Sequence, residues 1–356
     1  MKEKACNKTD CAKKTSIGGQ ALIEGIMMRG PGKSAMAVRN PEGEIVLEIW
    51  ENKPPKHPKL YRTPIVRGIF NFVASMKSGY KALMRSAEIS GLEELEAENA
   101  KKKKDKKASE GEAQPTADEA PKEEPKKEEK ESSFLMNVVM ILSVVLGVGL
   151  ALVLFTLLPA YMYKWCASVM PFLSSENPAI NSLIKSVFEG LLRIVILVAY
   201  MSLVSLMKDI RRTFQYHGAE HKTIFCYEQG LPLTVENVKK EKRFHPRCGT
   251  SFLILMLIVS IFVSFFIDPL FLLLTGGVPH VLVRAAVKLL LLPLIMGFGY
   301  ELIKLAGRRD NLFTRIISAP GMWLQRITVL EPTDDMIECA IAAFVEVIPK
   351  DDSDQY

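Results

Sequence analysis

The stretch FLMNVVMILSVVLGVGLALVLFTLLPAYM, residues 134–162, contains no charged side chain. The hydrocarbon core of a bilayer is about 30 Å thick, and a helix of about 20 mostly apolar residues crosses it. Tyr161, Tyr163 and Trp165 stand at the end of the stretch, and aromatic side chains favour the boundary between membrane and water. The stretch therefore predicts a membrane-spanning helix and indicates an integral membrane protein.

Three other stretches are long and apolar enough for the same prediction: residues 183–207, 252–274 and 281–303. Apolar residues make up 48% of the chain, and their concentration in four stretches is typical of a membrane protein rather than of two soluble domains. The sequence thus predicts a mainly α polytopic membrane protein with about four transmembrane helices, in a membrane domain that covers residues 134–306.

Some charged side chains fall inside the predicted spans, among them Glu189, Arg193, Asp268, Arg284 and Lys288. A charge within a membrane is costly, and it is normally paired or belongs to a functional path. Glu189 and Arg193 are four residues apart, so they can meet on one helix face. We expect acids and bases to pair inside the membrane, and a path for protons or substrate is the alternative.

Lys and Arg residues are distributed unevenly around the spans. The loop of residues 208–250 contains nine of them, and the segment after the fourth span opens with GRRDNLFTR. Loops rich in these residues stay on the cytoplasmic side, which predicts that both termini and this loop face the cytoplasm. The net charge of +6 suits anionic lipid, so the bilayer is the expected partner. The sequence has no basic patch with interleaved aromatic residues that would indicate nucleic acid.

The segment before the first span predicts a small cytoplasmic α+β domain, residues 15–90, after a flexible tail, residues 1–14. SAMAVR and EIVLEIW alternate in hydrophobicity around the turn NPEG, which predicts a β-hairpin. An amphipathic helix beginning near Pro64 follows, and we expect it to pack on the hairpin rather than on the membrane. Residues 91–133 are dense in charge, Pro and Ala with little to bury, which predicts a disordered linker.

The segment after the last span, residues 307–349, predicts peripheral helices on the cytoplasmic side. Pro320 and Gly321 indicate a break between two short helices, with Trp323 at the membrane interface. A last helix is expected to begin at Thr333 or Asp334 and to end before Pro349. Residues 350–356 form a tail.

The loop contains the block YHGAEHKTIFCYEQG, residues 216–230, in which two histidines are spaced four apart. If the second span continues as a helix through this block, His217, Glu220, His221 and Glu228 share one face. Two neutral imidazoles at this spacing suit a divalent metal such as zinc. Residues 217–221, HGAEH, also fit the motif H-x-x-E-H, in which the two histidines bind zinc and the glutamate activates a water molecule. The alternative is a pair of interfacial histidines bonded to lipid head groups or neighbouring carboxylates.

A second candidate pair, His245 and Cys248, lies in HPRCGTSF just before the third span. His-x-x-Cys is a compact two-ligand turn, so we expect both pairs to converge on one metal ion. Glu301, near the end of the fourth span, is expected at the same depth. It is a candidate acidic ligand in competition with Glu228, and pairing with Lys304 or Arg308 is the alternative.

Two functions follow from such a site. The first is a metal-dependent hydrolase in which His217 and His221 bind the metal, His245 with Cys248 or Glu301 completes the shell, and Glu220 takes a proton from water. The second is a membrane scaffold or assembly factor in which the same side chains form a closed structural site. Coordination number separates the two, because a catalytic site keeps an open position.

Six motifs carry a resemblance to a known family: GGQALIEGIMMRGP, RTPIVRGIFNF, YHGAEHKTIFCYE, HPRCGTSF, YELIKLAGR and APGMWLQRIT. With these motifs the chain resembles the YqhQ-like bacterial membrane proteins, a family of unknown function described as predicted metal-dependent enzymes. The resemblance covers nearly all of the chain outside the linker and both tails. It implies an integral protein of the bacterial inner membrane with a metal site, and it supplies no reaction. The positions that it highlights are His217, Glu220, His221, His245, Cys248 and Glu301.

Overall fold

The computed structural model describes residues 14–52, 63–91, 142–277, 279–308 and 311–354. The predicted tail up to residue 13, the predicted linker from residue 92 onward and the start of the first predicted span at 134–141 lie outside these ranges. The described residues form four strands and a set of helices. The strands are β1 (Gly18–Leu22), β2 (Gly25–Arg29), β3 (Lys33–Arg39) and β4 (Ile45–Glu51). The helices are α1 (Val66–Ile89), α2 (Leu142–Val169), α3 (Pro178–Val204), α4 (Lys208–Glu228), α5 (Val235–Lys240), α6 (Gly249–Thr275), α7 (Val281–Arg308), α8 (Leu312–Thr328) and α9 (Asp334–Val347).

The strands form one antiparallel sheet in the order β1-β2-β3-β4. The predicted hairpin is confirmed as β3 and β4, with Ser34 opposite Trp50 and Val38 opposite Val46. At its turn the Asn40 side chain accepts a hydrogen bond from the Glu44 amide at 2.8 Å. The sequence did not predict β1 and β2, because four consecutive residues of β2 are buried and the strand lacks polar alternation.

The sheet is covered on both faces within this part of the chain. On one face Ala82, Leu83 and Ile89 of α1 pack against a cluster that includes Met36 and Val38, which confirms that α1 packs on the hairpin. The other face meets α4 and α9 through a larger apolar core. The members of that core include Ile26, Met28, Ala35, Ala37, Tyr216, Ala219, Ile337, Ala340 and Phe344.

Four helices, α2, α3, α6 and α7, are long and apolar enough to cross a membrane, which confirms the predicted number of spans among the described residues. The second span does not run on into the histidine block as one helix. Helix α3 ends at Val204 and α4 begins at Lys208, because Met207 has an extended backbone with ψ 132°. The break makes α4 a separate helix that packs on the sheet.

Four charged side chains on the membrane-spanning helices are buried and paired, as expected: Glu189, Arg193, Asp268 and Arg284. Glu189 accepts hydrogen bonds from Arg193 at 2.9 Å and from Arg284 at 3.1 Å. Asp268 lies 3.2 Å from Arg284 and 3.6 Å from Lys185. Each acid therefore compensates two cations, which lowers the cost of placing them in an apolar region.

The expected break at Pro320 and Gly321 is wrong, because α8 continues through both residues. A capping box fixes its start, in which Asn311 and Thr314 exchange side-chain and backbone hydrogen bonds at 2.9 and 3.0 Å. A side chain at Gly321 would come within 2.5 Å of Ser251 Cβ in α6, so the two helices pack closely there. We attribute the continuity of α8 to this packing, which offsets the hydrogen bond that Pro320 removes. The last predicted helix is confirmed as α9, with Thr333 at its N-cap.

Gly218 interrupts the histidine block at a point of close contact. A Cβ atom at this position would overlap the carbonyl oxygen of Leu330, in the segment that leaves α8. The same segment is bonded to α4 by the Leu330 amide, which donates to the Phe214 carbonyl at 2.9 Å. The glycine weakens the helix by about 1 kcal/mol relative to alanine, but it permits this approach.

Gly218→Ala is expected to destabilise the protein by about 1–3 kcal/mol, because steric overlap outweighs the gain in helix propensity. Gly147→Ala is the control, since a methyl group there meets open space in α2. The measurement is the midpoint of thermal unfolding in detergent. An unchanged or raised midpoint for Gly218→Ala would contradict the close contact.

Glu189→Gln is expected to lower the same midpoint, since loss of one member of a buried ion pair costs about 3–5 kcal/mol. Two arginines would then share a neutral partner in an apolar region. The control is Glu176→Gln, whose side chain is exposed in the connection before α3. Equal midpoints for the two variants would show that Glu189 does not stabilise the cluster.

Candidate metal centre

Two imidazoles on α4 are fixed by backbone carbonyls. His217 Nδ1 lies 3.0 Å from the Thr328 oxygen, and His221 Nδ1 lies 2.5 Å from the Arg243 oxygen. A carbonyl can only accept a hydrogen bond, so each Nδ1 carries a proton, and each Nε2 is left to hold either a second proton or, in a metal ligand, the lone pair. This arrangement is typical of histidines that bind metals, where the second ring nitrogen is held by the protein.

Cys248 brings a thiol to these two imidazoles from the residue before α6. Its Sγ lies 3.0 Å from His217 Nε2. One ligand atom each from His217, His221 and Cys248 lie within 4.8 Å of one another. Nitrogen and sulfur ligands around a tetrahedral zinc ion are roughly 3.4–3.6 Å apart, as follows from bond lengths of about 2.0 and 2.3 Å. The three side chains therefore need only small shifts to hold such an ion.

The environment of Cys248 favours the thiolate. Burial alone would raise the pKa of this thiol, but the charges and hydrogen bonds of His217 and His221 outweigh burial and hold the pKa well below 9.0. The Thr250 amide also donates to Sγ at 3.4 Å, at the N-terminus of α6 where negative charge is favoured. Burial likewise opposes a charged His217, yet the nearby thiolate raises the pKa of His217 to about 9.

Glu220 lies beside these ligands, and only one of its two carboxylate oxygens accepts a hydrogen bond from a described residue. Its Oε1 accepts a hydrogen bond from the Gly19 amide at 3.0 Å. Its Oε2 is buried and has no hydrogen-bond partner among the described residues. Burial raises the pKa of Glu220 above its usual value, although His217 and His221 act in the opposite direction. A raised pKa suits a group that exchanges protons near neutral pH.

Gly19 permits this contact because it has no side chain. A Cβ atom there would come within 2.9 Å of the Glu220 carboxyl carbon and within 2.8 Å of the Met27 carbonyl oxygen. The first strand of the sheet therefore reaches the carboxylate with its backbone.

A cavity of about 120 Å³ opens at the cluster, and its lining includes Gly18, Gly19, Glu220, His221 and Cys248. A second cavity of about 340 Å³ shares Gly18 and Gly19 and extends towards other side chains. Those side chains include Gln20, Arg29, Ser75 and Ser78. The cluster thus faces space that a small molecule can enter.

His245 and Glu228 lie next to the cluster but have other partners. The His245 ring is 5.6 Å from the His221 ring between centroids, and its Nδ1 accepts from the Arg247 amide at 3.3 Å. Burial lowers the pKa of His245 and keeps it neutral. Glu228 forms an ion pair with Arg247 and accepts from the Thr15 amide at 2.9 Å. Both residues therefore support the wall of the site.

Glu301 has a partner of its own. The Arg67 side chain donates two hydrogen bonds to its carboxylate, one of them at 2.6 Å, and the Ile65 amide donates a third at 3.3 Å. This places Glu301 in a link between α1 and α7 and not in the group of His217, His221 and Cys248.

Several residues of the site are not evident from side-chain chemistry. Gly19, Arg243 and Thr328 act through backbone atoms, which no ligand motif reports. Gln325 donates to the His245 carbonyl at 2.7 Å and accepts from the His245 amide at 2.8 Å. The one available signal is the pair Gly18 and Gly19 in GGQALIEG, because adjacent glycines indicate a close backbone approach.

Comparison with known proteins identifies the family of the chain. A family profile described as "Protein of unknown function (DUF1385)" matches residues 63–350. The chain is similar to the uncharacterized protein YqhQ of Bacillus subtilis (strain 168), with 32% identity over 340 residues that cover 94% of this chain and 92% of that protein. No solved structure matches the chain. The chain therefore belongs to the DUF1385 family of YqhQ-like proteins, whose function is unknown.

Proposed function

We propose that the protein is a metal-dependent hydrolase at the cytoplasmic surface of the inner membrane, with His217, His221 and Cys248 as the metal ligands. The single observation that carries this proposal is the unpartnered, buried Glu220 Oε2 beside three convergent ligand atoms and a cavity. Two imidazoles and a thiolate suit zinc, and three protein ligands are the usual number in catalytic zinc sites.

The side chains of the site have separable roles in this proposal. A bound divalent ion would supply Lewis acidity and lower the pKa of a water molecule at the site. Glu220 accepts and returns a proton through Oε2, while the Gly19 amide holds its other oxygen in place. The carbonyls of Thr328 and Arg243 keep both imidazoles aligned, so the ligands need little reorganisation.

A closed structural site is the alternative, and the arrangement gives it less support. A tetrahedral structural shell needs a fourth protein ligand, for which His245 is the nearest candidate. Both His245 ring nitrogens face Arg247, at 3.3 Å from its amide and 3.3 Å from its guanidinium. The open side of the cluster is the cavity, which favours the enzyme.

One observation favours a second candidate function, metal-independent catalysis by a thiolate. Cys248 and His217 are 3.0 Å apart, and the Thr328 carbonyl orients the imidazole, as in the dyads of cysteine hydrolases. The two candidates respond differently to a chelator. Activity that survives complete metal removal and is then lost on alkylation of Cys248 would favour the thiolate.

Purified protein is expected to contain about one zinc-type ion per chain, and His221→Ala is expected to lose it. Glu220→Gln should keep the ion but lose hydrolysis of p-nitrophenyl acetate by about 10²–10⁴-fold, because only the proton acceptor is removed. Elemental analysis and the absorbance assay measure these outcomes. His280→Ala, an exposed histidine outside the site, is the control that should change neither. Wild-type protein without stoichiometric metal would refute the proposal.

Metal affinity is expected to rise with pH, because the ion must displace the proton that His217 shares with Cys248. That proton is bound below a pKa of about 9. Affinity should therefore fall about tenfold for each pH unit of acidification between about pH 7.5 and 6.5. Competition with a chelator whose own titration is known measures this slope.

Cys248→Ala is the matched control for the pH dependence. Without the thiolate, the His217 pKa should return towards about 6.5, so the slope over the same interval should be smaller. A slope that is the same in both proteins would show that the pair does not share the displaced proton.

A further inference from the structure

Helix α8 exposes its large apolar side chains. Leu312 is 75% exposed, Ile316 is 62% exposed and Trp323 is 54% exposed. At about 100° per residue these three lie within about 40° of one another on the helix. Phe313, 55% exposed, lies beside them. A contiguous apolar face of this size on a helix normally has a partner.

The buried face of the same helix is polar or small. It consists of Thr314, Ser318, Gly321, Gln325 and Thr328, with Leu324 at its edge. Gln325 is fully buried and bonded to both the His245 backbone and the Ser251 hydroxyl. A surface helix of a soluble protein has the opposite arrangement, with its apolar face inward. The inversion indicates that the outer face of α8 does not contact water.

The position of α8 is set by two membrane-spanning helices. Three residues separate its start at Leu312 from the end of α7 at Arg308, and Gly321 packs against Ser251 near the start of α6. The start of α6 lies beside the end of α7, since a side chain at Gly299 would come within 3.2 Å of Met256 and Phe252. Helix α8 therefore lies where these two helices leave the apolar layer on the same side.

Helix α1 also buries small residues and exposes large apolar ones, and it lies beside the same two membrane-spanning helices. Its buried residues are small, namely Gly68, Gly79, Ala82, Ser86 and Ala87, whereas Val73, Met76 and Tyr80 are exposed. It contacts the two membrane helices through Phe72, whose ring is 5.7 Å from that of Phe252, and through Asn71, which donates to the Tyr300 hydroxyl at 3.0 Å.

We propose that the exposed face of α8 lies in the boundary between head groups and acyl chains of the adjacent leaflet, as an in-plane amphipathic helix. The occupant of this face is the bilayer because the face is continuous with helices that cross it. Exposed Arg326 lies at the edge of the face, about 60° from Trp323, where a cation meets anionic head groups. A second copy of the chain or another protein is the competing occupant.

Trp323 makes this proposal testable, because the chain has three tryptophans and the other two are Trp50 and Trp165. The full chain with Trp50→Phe and Trp165→Phe is reconstituted in vesicles of phosphatidylglycerol and phosphatidylcholine. The acyl chains either carry bromine near the head group or carry none. We expect the fluorescence of Trp323 to have its maximum at short wavelength. We also expect the brominated lipids to quench most of this fluorescence.

Leu312→Glu with Ile316→Glu, made in the same single-tryptophan protein, is the companion variant. Both residues are exposed in the structure, so the fold should be kept, while the two charges should weaken the contact of this face with acyl chains and decrease bromine quenching of Trp323. Emission at long wavelength without quenching would place Trp323 in water and overturn the proposal. Emission at short wavelength without quenching, dependent on the protein-to-lipid ratio, would assign the face to a second copy and overturn it equally.

Discussion

The close approach of α4 to the chain that leaves α8 is the contact on which the site depends. Because position 218 has no side chain, the Leu330 carbonyl can lie against the helix, and its amide bonds to Phe214. The same approach brings the Thr328 carbonyl to His217. Gln325 then joins the His245 backbone to Ser251 at the start of α6. Helices α4, α6 and α8 are thus in contact around the site, and the contact between α4 and the segment after α8 requires a glycine at position 218.

The chemistry of the cluster follows from the burial of charged groups whose hydrogen bonds and opposite charges compensate the loss of water only in part. Cys248 and His217 stabilise each other's charged forms in a place that water reaches poorly, so each departs from its ordinary titration. One carboxylate oxygen of Glu220 accepts a hydrogen bond, and the other has no partner among the described residues. Burial disfavours the charged form of this carboxylate. By contrast Glu228 and Glu301 have strong arginine partners. Among these three acids, two are therefore held by arginines, whereas Glu220 keeps one oxygen without a hydrogen-bond partner among the described residues.

The sequence was sufficient to predict features that depend on regular spacing. The four spans follow from apolar length, α9 from its cap and following proline, and the proximity of His217 and His221 from a helical period of 3.6. Features set by tertiary contacts were not predictable. Strand β2 is buried without alternation and β1 pairs with it, α8 passes through Pro320, and Arg67 reaches Glu301 from a segment far away in sequence. Residues such as Gly19 and Thr328 act through backbone atoms, so their side-chain types do not reveal these hydrogen bonds in the sequence.

Helix α8 has two different neighbours on its two sides. Its inner side carries the carbonyl that sets the tautomer of His217 and the amide that fixes the turn at His245. Its outer side carries the apolar face. A helix is about 10 Å across, so both sides move together as one rigid rod. If the outer face lies in the bilayer as proposed, lateral pressure or changes in lipid thickness would alter the distance between Thr328 and His217, and with it the geometry of the cluster of His217, His221 and Cys248.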